Sequence, residues 1–217
     1  MNHEKLNRRQ MFRKTVLGGI GLGFLGEFVR GDDPLPRTPP EIKGPFYPVV
    51  IPKDHDFDLT RVEGRAEAAA GRVIHMHGRV LDTAGAAVAD ASVELWQANT
   101  HGRYNHPHDR NPAPLDPNFQ GWALVPSGEK GEFHFKTIYP GPYPVTPEWS
   151  RPPHIHFKVA KRGYVELVTQ MYFPGEALNE RDHLLKRKPA VKRPRMIAKA
   201  DHDQEDHFHF ELVIEPA

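Results

Sequence analysis

The residues with most chemical content lie in Arg151-Pro152-Pro153-His154-Ile155-His156-Phe157. In a strand, residues i and i+2 point to one face, so His154 and His156 present two imidazoles side by side. That is a common way to supply two metal ligands. The spacing alone discriminates poorly, because His75-x-His77 and His207-x-His209 repeat it. A bare pair is more simply a polar strand face. His154 and His156 differ in context: their strand begins after a Pro-rich loop that carries Arg151 and, upstream, Tyr143. A phenolate is a hard anionic oxygen donor whose free pKa is ~10. A highly charged cation can hold it ionised at neutral pH. Two tyrosines with two neutral histidines would favour Fe(III) over softer or divalent ions. For Tyr104 or Tyr143 taken singly, a packed ring with a bonded hydroxyl is the default.

The elements that must position these groups read as strands. The chain has 217 residues with 22 Pro and 18 Gly, a turn-rich composition compatible with one domain. Apolar and polar residues alternate, or run β-prone, over 73–81, 91–96, 132–136, 154–159, 165–173 and 207–214. Short strands separated by Gly and Pro turns predict an all-β fold, a β-sandwich with little helix. Two long irregular stretches, 99–126 and 139–153, interrupt them and hold most of the candidate chemistry. Loops of that length are usually functional. A weak helical pattern covers 180–186, and the basic run 186–195 reads as a solvated loop.

Charge and composition exclude some classes. Net charge is +1, with six Lys/Arg against two Glu in residues 1–31, which leaves 23 basic and 26 acidic residues beyond. A mildly acidic body argues against nucleic acid as a partner, since phosphate binding needs a clustered basic face. The absence of cysteine rules out disulfides and thiolate metal sites. Arg8-Arg9 ahead of the apolar run Val16–Gly26 resembles a twin-arginine export signal, too short to span a bilayer. It implies a periplasmic or membrane-tethered protein, or a cytoplasmic one if the segment is not functional. Residues 31–45 are Pro-rich and read as a linker to a domain spanning 46–217.

A wider set of motifs carries a resemblance. Gly44-Pro45-Phe46-Tyr47, Gly78-Arg79-Val80-Leu81-Asp82 and Val93-Glu94-Leu95-Trp96-Gln97-Ala98-Asn99 come first. Gly102-Arg103-Tyr104, Pro140-Gly141-Pro142-Tyr143-Pro144, the Arg151–Phe157 segment and Gln170-Met171-Tyr172-Phe173 follow in order. Together they resemble the intradiol ring-cleavage dioxygenases, most closely the protocatechuate-cleaving subgroup. The resemblance implies a non-haem Fe(III) enzyme that takes an aromatic diol and O2 to a muconate-type diacid. It implies Tyr104, Tyr143, His154 and His156 as iron ligands, with Tyr143 and His156 axial. It implies Arg151 as the group that stabilises the activated ring and Gln170 as its polar neighbour. Gly44, Pro45 and Tyr47 would line the substrate pocket together with Arg151. Because one chain carries both Gly44-Pro45 and a full ligand set, a homo-oligomer is expected. Val145 stands where the subgroup's pattern has Trp.

Two other readings compete. Residues 72–96 taken alone also resemble the strand-turn-strand of transthyretin-like and carboxypeptidase-regulatory-like modules, which bind or space without chemistry. Alternatively, His75/His77 or His207/His209 would make this a Cu or Zn protein.

Overall fold

The structure is a computed structural model that describes residues 34–217; the twin-arginine segment lies outside the described residues. Among the described residues ten strands succeed one another: β1 (Val73–Asp82), β2 (Ser92–Trp96), β3 (Trp122–Pro126), β4 (Glu132–Ile138), β5 (Tyr143–Thr146), β6 (Trp149–Arg151), β7 (His154–Ala160), β8 (Leu167–Tyr172), β9 (Lys199–Ala200) and β10 (His207–Ile214). One four-stranded sheet has the order β4-β1-β10-β9, a second β3-β2-β7-β8, and β5 and β6 form a two-stranded third. The first joins the first of these strands to the last, since β1 and β10 run parallel with His75 opposite His207.

The alternation seen in the sequence decides what faces inward. Ile74, Met76, Phe133, Phe135, Phe208, Phe210 and Leu212 of the first sheet pack against Leu95, Ile155, Phe157, Val159, Leu167 and Met171 of the second, forming one core. Truncating a buried ring of this kind, such as Phe157, costs about 3–5 kcal/mol. Because Ile155 and Phe157 point into this core, the i, i+2 rule sends His154 and His156 to the opposite face of β7. There a second cluster forms from Phe46, Trp96, Ala98, Tyr104 and Trp122. The chemistry therefore lies outside the sandwich core, beneath the loops.

Those loops are more ordered than their composition suggested. The stretch 99–126 ends in β3, and 139–153 contains the β5–β6 hairpin, whose register shifts between Pro144 and Thr146. The helical reading of 180–186 resolves into a 3₁₀ turn, Ala177–Arg181, and one short helix, α1 (His183–Arg187). The basic run is not a plain loop: Ala190–Met196 is a second 3₁₀ segment. Its Arg193 donates to the Lys188 carbonyl at 2.9 Å and Arg195 to that of Arg37 at 3.1 Å, so backbone acceptors hold the cations. The Pro-rich stretch from residue 34 onward forms no helix or strand, yet it lies along the sandwich. Thr38 N donates to the Val213 carbonyl at 3.1 Å, and Glu41 N to that of Val168 at 2.8 Å.

Candidate metal centre

Tyr104 is set by a loop whose hub is Asn99. The Asn99 side-chain carbonyl accepts from the backbone N–H of His101 at 2.9 Å and of Arg103 at 3.0 Å, while its amide donates to the Pro114 carbonyl at 2.9 Å. Asp109 Oδ2 accepts from Tyr104 N at 2.7 Å. This loop rests directly on the turn that carries Tyr143. Gly141 N donates to the Asn99 carbonyl at 2.9 Å. Gly102, at φ +75°, faces the Pro142 carbonyl so closely that any Cβ there would strike it. Two glycine-bearing turns in backbone contact thus bring the two phenol rings to 6.0 Å between centroids, edge to face.

His154 and His156 enter from β7 with ring centroids 5.0 Å apart. His154 Nδ1 donates to the Pro152 carbonyl at 2.7 Å. That bond leaves Nε2 as the lone-pair nitrogen, the usual arrangement of a metal-ligating histidine. Nε2 lies 3.3 Å from the Tyr104 hydroxyl. His156 stacks on Trp96 at 4.8 Å, opposite it across the β2–β7 pairing. Its Nδ1 is buried without a hydrogen-bond partner, an orphan that a folded protein rarely keeps without reason. Gly44, at φ +75°, sits against the same ring; a Cβ there would lie 3.3 Å from His156 Cε1. Phe46 follows, with its ring 4.7 Å from that of Tyr104 and 5.4 Å from that of Tyr143.

Electrostatics at this cluster follow from burial. Desolvation, aided by the Arg151 charge, holds His154 down to about 3. Desolvation, then His154, then Arg151 push His156 further still below its ordinary range. Burial raises both tyrosines, although the Arg151 charge opposes the rise. Two imidazoles are therefore neutral donors and two phenols are neutral acids that need a strong positive charge to ionise. The donor set fits a hard, highly charged cation.

Arg151 is itself fixed. It pairs with Tyr143 across the β5–β6 hairpin. Its Nε donates to Asp182 Oδ2 at 2.5 Å, and its Nη2 to Gln170 Oε1 at 2.7 Å and to the Tyr172 hydroxyl at 2.9 Å. Asp182 also caps α1, accepting from Leu185 N at 2.8 Å. Gln170 lies opposite His156 on β8, and its amide donates to the Ile42 carbonyl at 2.9 Å. Tyr47 is one step removed: its hydroxyl donates to Glu94 at 2.6 Å and its ring packs on Trp96 at 5.0 Å, behind His156. A cavity of about 330 Å³, walled by Phe46, Trp96, His106 and Trp122, touches the ligand cluster only through Tyr104.

Sequence reasoning missed Asp182, Tyr172, Trp96 and Asp109. Trp96 and Tyr172 lie inside the motifs of the resemblance, and Asp182 is an acidic residue ahead of an apolar helical run, the usual mark of an N-cap. A further His-x-His pair, His106 and His108, went unweighed in the 99–126 stretch.

Comparison with known proteins gives the family. Residues 42–216 match a family model described as dioxygenase. The chain is 40% identical over 171 residues to the protocatechuate 3,4-dioxygenase beta chain of Burkholderia cepacia, a match covering 75% of this chain and 72% of that one. The chain belongs to the intradiol ring-cleavage dioxygenases. It is 31% identical over 178 residues to 6-chlorohydroxyquinol 1,2-dioxygenase of Cupriavidus pinatubonensis, covering 60% of that enzyme's length. Among solved structures, the dioxygenase domain of a carbohydrate-binding fusion protein from Streptomyces sp. SirexAA-E superposes with a TM-score of 0.64. The two are 26% identical over 84% of this chain and all of that domain. The family match and these relatives support an intradiol dioxygenase, an oxidoreductase, and the non-catalytic β-sandwich module falls away.

Proposed function

We propose that this dioxygenase opens a catechol-type aromatic diol, protocatechuate-like, between its two hydroxyl-bearing carbons, adding both atoms of O2 to give a muconate-type diacid. Tyr104, Tyr143, His154 and His156 would hold a non-haem Fe(III). Such an ion acts as a Lewis acid, keeping phenolates ionised and acidifying the hydroxyls of a bound diol. The convergence of two phenols and two neutral imidazoles beside a fixed arginine is the observation that carries this reading.

The chain's own residues divide the remaining work. His154, oriented by the Pro152 carbonyl, offers Nε2. Tyr143 is half-buried and its hydroxyl makes no hydrogen bond among the described residues, whereas Tyr104 is fully enclosed. Tyr143, as the phenolate that the ion would keep ionised, is therefore the one free to accept a proton from a diol hydroxyl, as general base. Arg151 spends Nε and Nη2 on Asp182, Gln170 and Tyr172, so its charge is pre-oriented toward negative charge developing on the substrate ring. Gln170 holds that orientation, and Gly44 sits against the His156 ring from the same chain. With Tyr47 behind Trp96, the Gly44–Tyr47 segment forms one wall of the proposed pocket. We also propose a homo-oligomer, and export on the strength of Arg8-Arg9.

The test is O2 uptake by the iron-loaded protein on catechol, protocatechuate and hydroxyquinol. One O2 per diol with a ring-opened diacid as product is expected on at least one of the three. Folded, iron-loaded protein that consumes no O2 with any of them would overturn the proposal. Val145 is 40% exposed where the protocatechuate subgroup has Trp, so the order of rates across the panel reports its effect on substrate choice.

A further inference from the structure

The His-x-His pairs at 75/77 and 207/209 have no part in the proposed ring cleavage, yet the fold gathers them. In the parallel β1–β10 register His75 lies opposite His207 and His77 opposite His209. In the antiparallel β1–β4 register His77 lies opposite His134. Five imidazoles thus share the outer face of the first sheet, while Ile74, Met76, Phe133, Phe135, Phe208 and Phe210 turn inward to the core.

These rings pair rather than scatter. His77 Nε2 lies 2.9 Å from His207 Nδ1, and His75 Nδ1 lies 3.2 Å from His134 Nε2. Stacking links the pairs, with His75–His207 at 4.6 Å and His77–His134 at 4.7 Å between centroids. Two nitrogens that each bind one ion at about 2.0–2.1 Å stand roughly 2.9–3.3 Å apart, according to the angle between the bonds. Both observed separations match that bite. Asp201 lies 3.2 Å from His209, while Asp206 and Asp58, whose charges reach His75, are paired with Arg72 and Lys136.

We propose that the outer face of the first sheet is a second metal site, one that takes a late first-row divalent cation of the Zn(II) type through the His77–His207 pair, with His75–His134 as its neighbour. Imidazole nitrogens suit such ions, whereas the tyrosine-rich centre suits a harder one. Among the described residues no three His, Cys, Asp or Glu side chains meet at one point as they stand. The ion is therefore held by a pair, and water or a swung third imidazole completes its shell. No proton need be lost: the ring that donates in the present hydrogen bond shifts its proton to its other nitrogen, and both lone pairs face the ion. Desolvation, then repulsion from the neighbouring imidazoles, keeps His77 down to about 4, so it is a neutral donor at pH 7.

The test uses full-length, iron-loaded protein dialysed against Zn(II) at pH 7.5, with zinc and iron counted in the same sample. At least one zinc per chain beyond the iron is expected, with the iron content unchanged. His77→Asn combined with His207→Asn should weaken zinc binding at least tenfold, and adding His75→Asn and His134→Asn should abolish it. In the unaltered protein, the side-chain 15N resonances of His77 and His207 should shift on zinc addition, a readout that needs no variant to fold. Zinc that fails to bind, that binds equally to the fourfold variant, or that leaves those resonances unmoved would overturn the proposal.

Discussion

Among single residues, Tyr143 and Arg151 separate binding from chemistry. Tyr143→Phe removes one phenolate, and it should weaken visible absorption and lower kcat while leaving the fold intact. Unchanged colour and rate would remove Tyr143 from the ligand set. Arg151→Ala should lower kcat by about 10²–10³-fold, the usual loss when one oriented electrostatic group is deleted. Asp182 is predicted to matter for stability as well. Both partners of its ion pair are buried, with side-chain exposures of 6% and 0%. Removing one partner of such a pair costs about 3–5 kcal/mol, because the other charge is left unpaired. The denaturation midpoint of Asp182→Ala should fall accordingly. The two imidazoles and two phenols could be picked from the sequence because family motifs surround them. The pairing of Asp182 with Arg151 could not, since the two lie 31 positions apart and no spacing links them.

For the elements, two turns in backbone contact set the distance between the phenols. Gly102→Ala should push the Pro142 carbonyl away and open the Tyr104–Tyr143 gap, with added strain of about 1–3 kcal/mol for a non-glycine residue at this φ. Iron affinity should drop more than thermal stability does, since the sandwich core is untouched; metal titration alongside a melt compares the two. Strands β1, β7 and β10 were legible because their alternation is regular. β3, Trp-Ala-Leu-Val-Pro, was hidden because it lacks that alternation and follows a long Pro-bearing stretch. The β5–β6 hairpin was hidden by Pro144 and by strands of four and three residues. It is nevertheless the element that sets Tyr143 beside Arg151.

In the whole molecule, the two sheets turn opposite outer faces to different chemistry, one toward the phenol–imidazole centre and one toward the histidine grid. Buried neutral histidines tie stability to pH. The folded pKa of His154 is depressed to about 3, so its contribution is complete above the unfolded value of about 6.5 and is lost as pH falls through the folded value. For metal-free protein, this residue alone should lower stability by about 2 kcal/mol between pH 6.5 and pH 5. His156 shifts in the same direction and steepens the slope. Denaturation midpoints across that window check the slope, and iron loading should flatten it. The central claim is that Tyr104, Tyr143, His154 and His156 converge on one ferric ion, and the visible spectrum of the iron-loaded protein tests it most directly. A broad phenolate-to-Fe(III) absorption that colours the protein red to burgundy, and that changes when a catechol is added, is predicted. Stoichiometric iron bound in a protein that stays colourless would contradict it.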